Sequence, residues 1–539
     1  MTAGIVVREA TEADVPGVRA IFEATYEHDY PYRSVFEESW LKRAVFNDSM
    51  LMLVAEEMVT GELLGTASVV FDISSQSDLT GEFGRLAVPP RARGRGIGKL
   101  LMGERIAFVR RRLHAAVVDN RTTHPFSQKV SERHGLSCVG FLPKKYKFTE
   151  RESIAFFGLL FPEGLALRCN HPRVVPEAQA LAHIALSRCG VAVDVIVDED
   201  SPAYVADVPS LVVEQLTADA TPALLRIQRG RVRRREIFGP IRLQHGFFML
   251  EAHDAGYLIA RDAADDGTPG AVAGAIGFVH HPDDGTVQVF ELIARSDGVV
   301  RFLWDELMAR CRAWGVVYAE ADVSAHAPRM QRTLLELGFL PVAYVPAGVF
   351  VEVERLDIVR MARLDCAPPR LEDLALTPHC RTVAELVLRA FEQRAVLPRV
   401  DAAMGSMSLF RGLSPEQRRR LAGAFDVVEA EAGTVLYREG DPPRRLYALL
   451  AGTVSVQVGD RVVGAVGAGD CFGELSLLTG EPHSAEVAVS EDAVAAVLSA
   501  AELAQLTRSR PDIAVRLYRN LAVDVGRKLQ RSNAGLVET

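Results

Sequence analysis

The sequence predicts two α/β copies built on mixed sheets, followed by an all-β jelly roll with flanking helices. Three observations carry this fold class. The stretch Glu82 to Arg112 reads as a strand, a glycine/arginine-rich turn and an amphipathic helix. Two anchor pairs, His124-Pro125 with Gly135-Leu136 and Ala327-Pro328 with Gly338-Phe339, recur at a constant offset of 203 residues, the mark of an internal repeat. From Leu409 onward, short β-branched runs are punctuated by Gly433, Gly440, Gly452, Gly459, Gly464, Gly467, Gly469 and Gly473, as in a small antiparallel barrel.

In order, Ile5 to Arg8 is a short strand, and Thr11 to Asp14 opens a helix that buries Val15, Val18, Ile21 and Phe22. Leu51–Ala55, Leu64–Phe71 and Phe83–Val88 are strands, and Ala115–Val118 follows the helix of the glycine stretch. Ser153–Phe161 completes the first sheet. Glu177–Ser187 reads as a helix, Val191–Val197 as a strand and Asp198–Pro202 as a linker. The second copy takes Leu211–Glu214, Ile276–Val279, Val287–Ala294 and Val316–Val323 as strands and Val299–Trp314 as a helix. A helix near Val383–Glu392 precedes the barrel. Inside the barrel, Leu446–Leu450 and Val454–Val458 read as separate strands, and helices Pro415–Phe425, Ala500–Thr507 and Asp512–Gln530 flank it. The expected domains are 1–165, a connecting segment 166–208, a second copy 209–364, a helical connector 365–408 and the barrel 409–539.

Composition narrows the function classes. The chain has 539 residues, 48% hydrophobic and 24% charged, with a net charge of -9, which argues against a nucleic-acid or acidic-membrane partner. The cluster Arg226, Arg229, Arg231, Arg233, Arg234 and Arg235 therefore reads as a solvated face. Seven cysteines are scattered without C-x-x-C pairs, which fits a reducing cytoplasm and no metal site. The start MTAGIVVREATEADV lacks a signal-peptide pattern, and no run approaches ~18 apolar residues.

The glycine stretch carries the chemistry. Pro89 and Pro90 stop the strand, and Gly94, Gly96 and Gly98 let the backbone curl ahead of a helix starting at Ile97. Bare amides at a helix start, flanked by Arg93, Arg95 and Lys99, make an anion cradle. It is not a P-loop, because Leu100 follows Gly98-Lys99, and it is not G-x-G-x-x-G. It meets R-x-x-G-x-G through Arg93, Gly96 and Gly98, and so resembles the acyl-coenzyme A loop of the Gcn5-related N-acetyltransferase (GNAT) superfamily.

The resemblance implies acetyl-coenzyme A, or another acyl-coenzyme A, as co-substrate. The strand residues Leu86, Ala87 and Val88 would pair with the pantetheine arm. The loop Arg93, Gly94, Arg95, Gly96, Ile97, Gly98 and Lys99 would hold the pyrophosphate. The family's closing segment is matched from His124 to Leu136, with Ser131 where a tyrosine general acid is usual and His124 where asparagine is usual. The implied catalytic residues are Glu82, a base at the head of the strand beside the coenzyme, and Ser131. His28, Asp29 and Tyr32 are candidates for the acceptor pocket, whereas His124 and His134 read as structural or solvent-facing. The second copy has only Arg295-Ser296-Asp297-Gly298 where the loop should be, so it reads as degenerate.

In the barrel, Phe472 to Leu478 with Gly480 to Ala485 resembles the phosphate-binding cassette of cyclic-nucleotide-binding domains, and Arg438-Glu439-Gly440-Asp441 supports the match. The implied effector is cyclic AMP, with Gly473, Glu474, Leu475, His483 and Ser484 at its site. Glu474 would take the ribose hydroxyl, and His483 stands where an arginine usually holds the phosphate. No helix-turn-helix pattern follows, which argues against a DNA-binding regulator. The function expected is an acyl-coenzyme A dependent N-acyltransferase acting on an amine of a protein lysine or small molecule, regulated by the C-terminal domain. A homodimer contact through the last helix is the partner expected besides the acceptor. The alternative is a non-enzymatic sensor or scaffold that responds to the nucleotide and the coenzyme.

Overall fold

In the computed structural model, residues 4–71, 79–205, 211–216, 220–230, 235–239, 243, 255–263, 269–422 and 424–537 are described. Arg231, Arg233 and Arg234 of the basic cluster lie outside them. The chain forms two compact units, Met1–Leu388 and Arg389–Thr539.

The first unit begins with β1 (Ile5–Glu9), α1 (Val15–Tyr26), α2 (Glu38–Phe46), β2 (Met50–Glu57), β3 (Leu63–Val70) and β4 (Thr80–Ala87). It continues with α3 (Ile97–Val109), β5 (Ala115–Arg121), α4 (Phe126–Arg133), β6 (Ser137–Lys147) and β7 (Arg151–Leu160). A short α5 (Pro162–Leu165), β8 (Arg173–Val174), α6 (Pro176–Arg188) and β9 (Ile196–Val197) follow. Then come β10 (Leu211–Gln215), α7 (Ala220–Arg229), β11 (Ile237–Phe238), β12 (Ala255–Ala263), β13 (Pro269–His281) and β14 (Thr286–Ala294). The last are α8 (Asp297–Ala313), β15 (Tyr318–Ser324), α9 (Pro328–Leu337), β16 (Leu340–Val351) and β17 (Glu354–Leu364).

These strands make one continuous mixed sheet. Its first half runs β1-β2-β3-β4-β5-β7-β6 and its second half, read from the far edge, β10-β12-β13-β14-β15-β17-β16. The two orders are the same. Each half has one parallel neighbour pair in this order, β4 with β5 and β14 with β15. The halves join where β6 meets β16, at Gly140 opposite Ala343. A Cβ on Gly140 would lie 2.2 Å from the Ala343 Cβ, so only glycine lets the backbones approach this closely. Two of the expected domains, 1–165 and 209–364, therefore share one sheet.

The helices cover the sheet because their apolar stripes match its faces. Val15, Val18, Ile21 and Phe22 of α1 are buried against Met52 and Val54 of β2. Segment 191–197 departs from expectation, because only Ile196–Val197 is a strand. Gly190, at φ 68°, ends α6, and Asp194 is held by the Arg168 guanidinium at 2.9 Å and the His171 amide at 2.8 Å, side-chain anchoring that replaces a ladder. Arg168 also forks onto buried Asp357 at 2.7 Å.

The helix α10 (Pro378–Ser406) is longer than expected and crosses the boundary between the units. The second unit holds α11 (Pro415–Ala422), β18 (Asp426–Ala430), β19 (Val435–Tyr437), β20 (Arg445–Val458), β21 (Arg461–Gly467), β22 (Cys471–Phe472), α12 (Glu474–Thr479), β23 (Glu486–Ser499), α13 (Ala500–Ser509) and α14 (Pro511–Val537). Leu446–Leu450 and Val454–Val458 are not separate strands. Both lie in β20, and Gly452, at φ 83°, sits where its register against β23 shifts, marking a bulge rather than a turn.

Candidate active site

The site is made by two parallel strands that part. β4 and β5 pair at Thr80–Ala115, Gly81–Ala116 and Glu82–Val117, and there the ladder stops. β5 goes on pairing with β7 to Arg121, while β4 goes on pairing with β3 to Ala87. Phe83 to Leu86 of β4 and Val118 to Arg121 of β5 thus wall a cavity of about 140 Å³ between them. Tyr26 and Tyr30 to Tyr32 close it from the α1 side, Met102 and Arg105 of α3 line it as well, and Tyr146, Phe148 and Ile154 come from β6, β7 and the turn between them.

Glu82 stands where the strands part, on the cavity wall. Burial pushes its carboxyl above the usual range, and Asp119 across the cleft pushes it further, while Arg85, Lys145 and Arg360 pull the other way. Asp119 accepts from the Tyr146 hydroxyl at 2.7 Å and lies 3.7 Å from Lys145 Nζ. The Tyr146 hydroxyl is 3.2 Å from that of Tyr32.

Next along β4, Arg85 is a non-glycine residue at φ 52°. The register against β3 slips by one between Thr66–Ala87 and Ser68–Gly84. In an unbroken strand, residues 82 and 85 would point to opposite faces. The bulge turns Arg85 back, so both line one cavity. A left-handed residue with a Cβ costs about 1–2 kcal/mol, a strain that concentrates at functional sites. The Arg85 guanidinium lies over the rings of Tyr32 and Trp40, 5.1 Å and 5.5 Å from their centroids. Arg105, fully buried, donates to the Ser68 and Gly84 carbonyls at 3.2 Å each and lies over Phe83.

Beyond the cavity, a 3₁₀ turn over Pro90–Ala92 leads to Gly94 and Gly96, at φ 79° and 81°, and Gly96 caps α3. Only glycine takes these angles without strain. The amides of Gly94, Arg95 and Gly96 donate to no described residue, which leaves them facing outward at the start of a helix. Leu86 and Ala87 end β4, and Val88 lies just past it. Arg93 donates to the Val88 carbonyl at 3.4 Å, whereas Arg95 is taken up by Glu57 at 2.6 Å and Arg91 by Glu62 at 2.6 Å. Among the described residues, the loop cations without an ion pair are thus Arg93 and Lys99 rather than Arg95.

Several expected positions fall elsewhere. Ser131 is fully buried, accepts from Asn120 Nδ2 at 2.9 Å and does not line the cavity, because α4 turns it inward onto β5. Tyr32 lines the cavity, but His28 packs at a tilt against Phe36 and Asp29 accepts from Thr149 at 2.8 Å. His124 is on the cavity wall rather than structural, and burial, then Arg121, hold its imidazole below its usual value. Reasoning from sequence missed Arg105, Asp119 and Tyr146. Arg105 was legible only as a lone charge on an apolar helix face. The second half keeps its parallel strands paired for four rungs, Thr286–Tyr318 to Val289–Ala321. Glu291 there, in the place of Arg85, is buried and bonded by Tyr257, Gln228 and the Leu243 amide.

In the second unit, Gly473 (φ 81°) sets Glu474 at the start of α12, with Leu475 exposed beside it. Glu474 is buried and pairs with Lys528 of α14 at 2.8 Å. His483 is also buried, stacked on Tyr437 at 3.8 Å, and burial holds its imidazole below the usual value. Its carbonyl and amide tie to Gly440 and Asp441 at 2.7 and 2.8 Å, while the neighbouring Ser484 is exposed.

Comparison with known proteins adds the family. Residues 15–135 match the model of the acetyltransferase (GNAT) family, and residues 427–510 match that of the cyclic nucleotide-binding domain. The chain is 31% identical over 119 residues to the Pycsar effector protein XpPycTIR of Xanthomonas perforans, covering 22% of this chain and 38% of that one. It is 26% identical over 144 residues to the CRP-like cAMP-activated global transcriptional regulator of Mycobacterium tuberculosis, covering 26% and 62%. The chain thus spans under two thirds of the length of these relatives. The crystal structure of a cyclic nucleotide-binding domain from Methylobacillus flagellatus is similar at 28% identity and a TM-score of 0.25, covering 27% of this chain and 85% of that one. The chain thus carries an acetyltransferase (GNAT) domain, matched over residues 15–135, and a C-terminal cyclic nucleotide-binding domain, matched over residues 427–510.

Proposed function

We propose that the protein is an acyl-coenzyme A dependent N-acyltransferase whose activity answers to a cyclic nucleotide at the C-terminal domain. The observation that carries this reading is the parting of β4 and β5 at Glu82, next to the outward-facing amides of Gly94 to Gly96. Those amides, with Arg93 and Lys99, hold the pyrophosphate of the acyl donor, and the free edge at Leu86 and Ala87 receives its pantetheine arm.

Glu82 then takes a proton from the ammonium of the acceptor. Its raised pKa brings it nearer the working range of a base. The amine attacks the thioester carbon, a C–N bond forms, and a backbone N–H near Val88 receives the oxyanion. The C–S bond breaks, and the thiolate takes a proton from a tyrosine. We assign that role to Tyr26, whose hydroxyl is 3.5 Å from the Leu86 carbonyl and whose pKa burial raises, so that it keeps its proton until the thiolate forms. Ser131 is set aside because it faces Asn120.

We read 209–364 as a degenerate second copy. The repeated strand order supports it, and among the described residues the β14–β15 ladder runs on for four rungs and Glu291 is bonded internally, where the first half opens its cavity.

Calorimetry with acetyl-coenzyme A and with cyclic AMP, on wild type and Gly96→Trp, tests the reading. Coenzyme binding by the wild type that the variant loses, with thiol release on an amine panel that changes with cyclic AMP, is expected. No coenzyme binding by the wild type overturns the enzyme and leaves the non-enzymatic sensor.

A further inference from the structure

Two arginines face the cavity without a hydrogen bond or ion pair to a carboxylate among the described residues. Arg105 is fully buried, gives one nitrogen to two backbone carbonyls and another to the Met102 sulfur, and its Nε has no partner. Arg85 makes no ion pair or hydrogen bond with a described residue, and its Nε is buried without a partner as well. The third arginine of the wall, Arg121, is already bonded by Glu152. A buried guanidinium without an anion is expensive to hold. The two buried polar atoms His124 Nδ1 and Ser127 Oγ, on the same wall, are also without partners.

The bulge at Arg85 makes the arrangement specific. It brings a carboxylate, Glu82, and a guanidinium, Arg85, neither hydrogen-bonded nor ion-paired to a described residue and three residues apart on β4, to one small space. Stacking on Tyr32 and Trp40 holds the guanidinium plane and leaves its N–H edge for a planar anion. The cavity, about 140 Å³, is close to the ~150 Å³ that takes up one benzene ring, roughly six non-hydrogen atoms. A lysine side chain of a protein would fit by size, but it would bring a further cation and leave both arginines unanswered.

We infer that the acceptor is a small amino acid carrying a free carboxylate, with its amine at Glu82 and its carboxylate on the Arg85 guanidinium, above the positive charge of Arg105. This rests on the acyltransferase reading. In the reaction the carboxylate is a spectator: it orients the amine towards the thioester and is unchanged in the product.

The test uses the full chain with acetyl-coenzyme A and thiol release, on glycine, β-alanine and 4-aminobutyrate, each against its carboxamide, and on a lysine-containing peptide. The acids are expected to exceed their carboxamides by roughly 10- to 100-fold in kcat/KM, the worth of a charge-assisted contact. Arg85→Gln is expected to abolish that preference, raising KM for the acid far more than for its carboxamide, with acetyl-coenzyme A affinity by calorimetry unmoved. Equal rates for acid and carboxamide, preference for the peptide, a preference that survives Arg85→Gln, or acetyl-coenzyme A binding with no turnover of any acid overturns the inference while leaving coenzyme binding in place. A preference for succinyl- over acetyl-coenzyme A that Arg85→Gln removes, with acid and carboxamide alike as acceptors, overturns it too, by placing the carboxylate on the acyl group. Failure to bind coenzyme at all is the separate result that removes the underlying reading.

Discussion

Lys145 Nζ lies 3.2 Å from a carboxylate oxygen of Glu320, across the seam between the two halves of the sheet. Both side chains are largely buried, and the same ammonium is 3.7 Å from Asp119 in the cavity. The second half, which has no glycine loop, thus supplies a charge that holds the first half's site in order. Glu320→Gln leaves the buried ammonium with Asp119, at the longer distance, as its carboxylate partner among the described residues. Removing one partner of a buried pair costs about 3 kcal/mol. Urea unfolding of the first unit's transition measures this, and coenzyme affinity should be retained. An unchanged midpoint would show that the pair contributes nothing.

Glu82 links activity to pH. Its folded pKa is raised, first by burial and then by Asp119, against Arg85, Lys145 and Arg360. Tyr30, Tyr32 and Tyr146, which share the wall, keep their protons because burial raises them too. A base must be ionised, so kcat/KM should climb as pH rises through a value above the ordinary 4.5 of a glutamate. The stability sign is opposite. A carboxyl whose folded pKa is raised contributes stability below its unfolded pKa, and that contribution is lost as pH rises through the folded value. Glu82→Gln should therefore lower kcat by roughly 10²–10⁴-fold, remove the acidic limb and raise the melting temperature at pH 7. Loss of activity with the limb intact would assign the base elsewhere.

The difference between these residues and the loop explains what the sequence made legible. Arg93 to Lys99 and Gly473 to His483 are continuous, and Gly94, Gly96, Gly473 and Gly480 in them take the positive φ that the residue type announces. The cavity is not continuous. Tyr26, Glu82, Asp119 and Tyr146 come from one helix and three strands, and only the order of the sheet brings them together. Arg85 could not be placed, because strand alternation puts it on the far face and only the bulge returns it. Ser131 failed for the converse reason. Its position in the motif is right, yet α4 turns the hydroxyl onto Asn120. Gly452 resembled a turn because a bulge and a turn ask for the same left-handed residue.

Tyr26 and Ser131 separate the two assignments of the proton donor. Tyr26→Phe keeps the ring, which packs between Phe22 and Tyr30, and removes only the hydroxyl. It should lower kcat by roughly a hundredfold while KM for the acyl donor is little changed. Ser131→Ala leaves the Asn120 amide buried without its acceptor, which costs about 1–3 kcal/mol of stability and spares kcat. Steady-state kinetics beside thermal unfolding distinguish them, and the reverse pattern would return the role to Ser131.

Lys528 bears on the C-terminal site. Its ammonium is 2.8 Å from Glu474 and 3.1 Å from Asp524, and it also bonds the Cys471 carbonyl. A ribose hydroxyl that needs the Glu474 carboxylate must first displace this ammonium. Lys528→Met removes the competitor and keeps the length of the side chain. The pair is partly exposed, so the gain is modest: cyclic AMP should bind about fivefold tighter, the equivalent of about 1 kcal/mol. His483→Arg, which supplies the fork that a phosphate takes, should tighten binding independently, though its ring leaves the stack on Tyr437 and part of the gain is lost with it. The two changes act at different atoms of the nucleotide and should add in the double variant. Calorimetry on the four proteins gives the answer. If Lys528→Met binds no tighter than wild type, Glu474 does not meet the nucleotide, and the ion pair with Lys528 only fixes the last helix against the barrel.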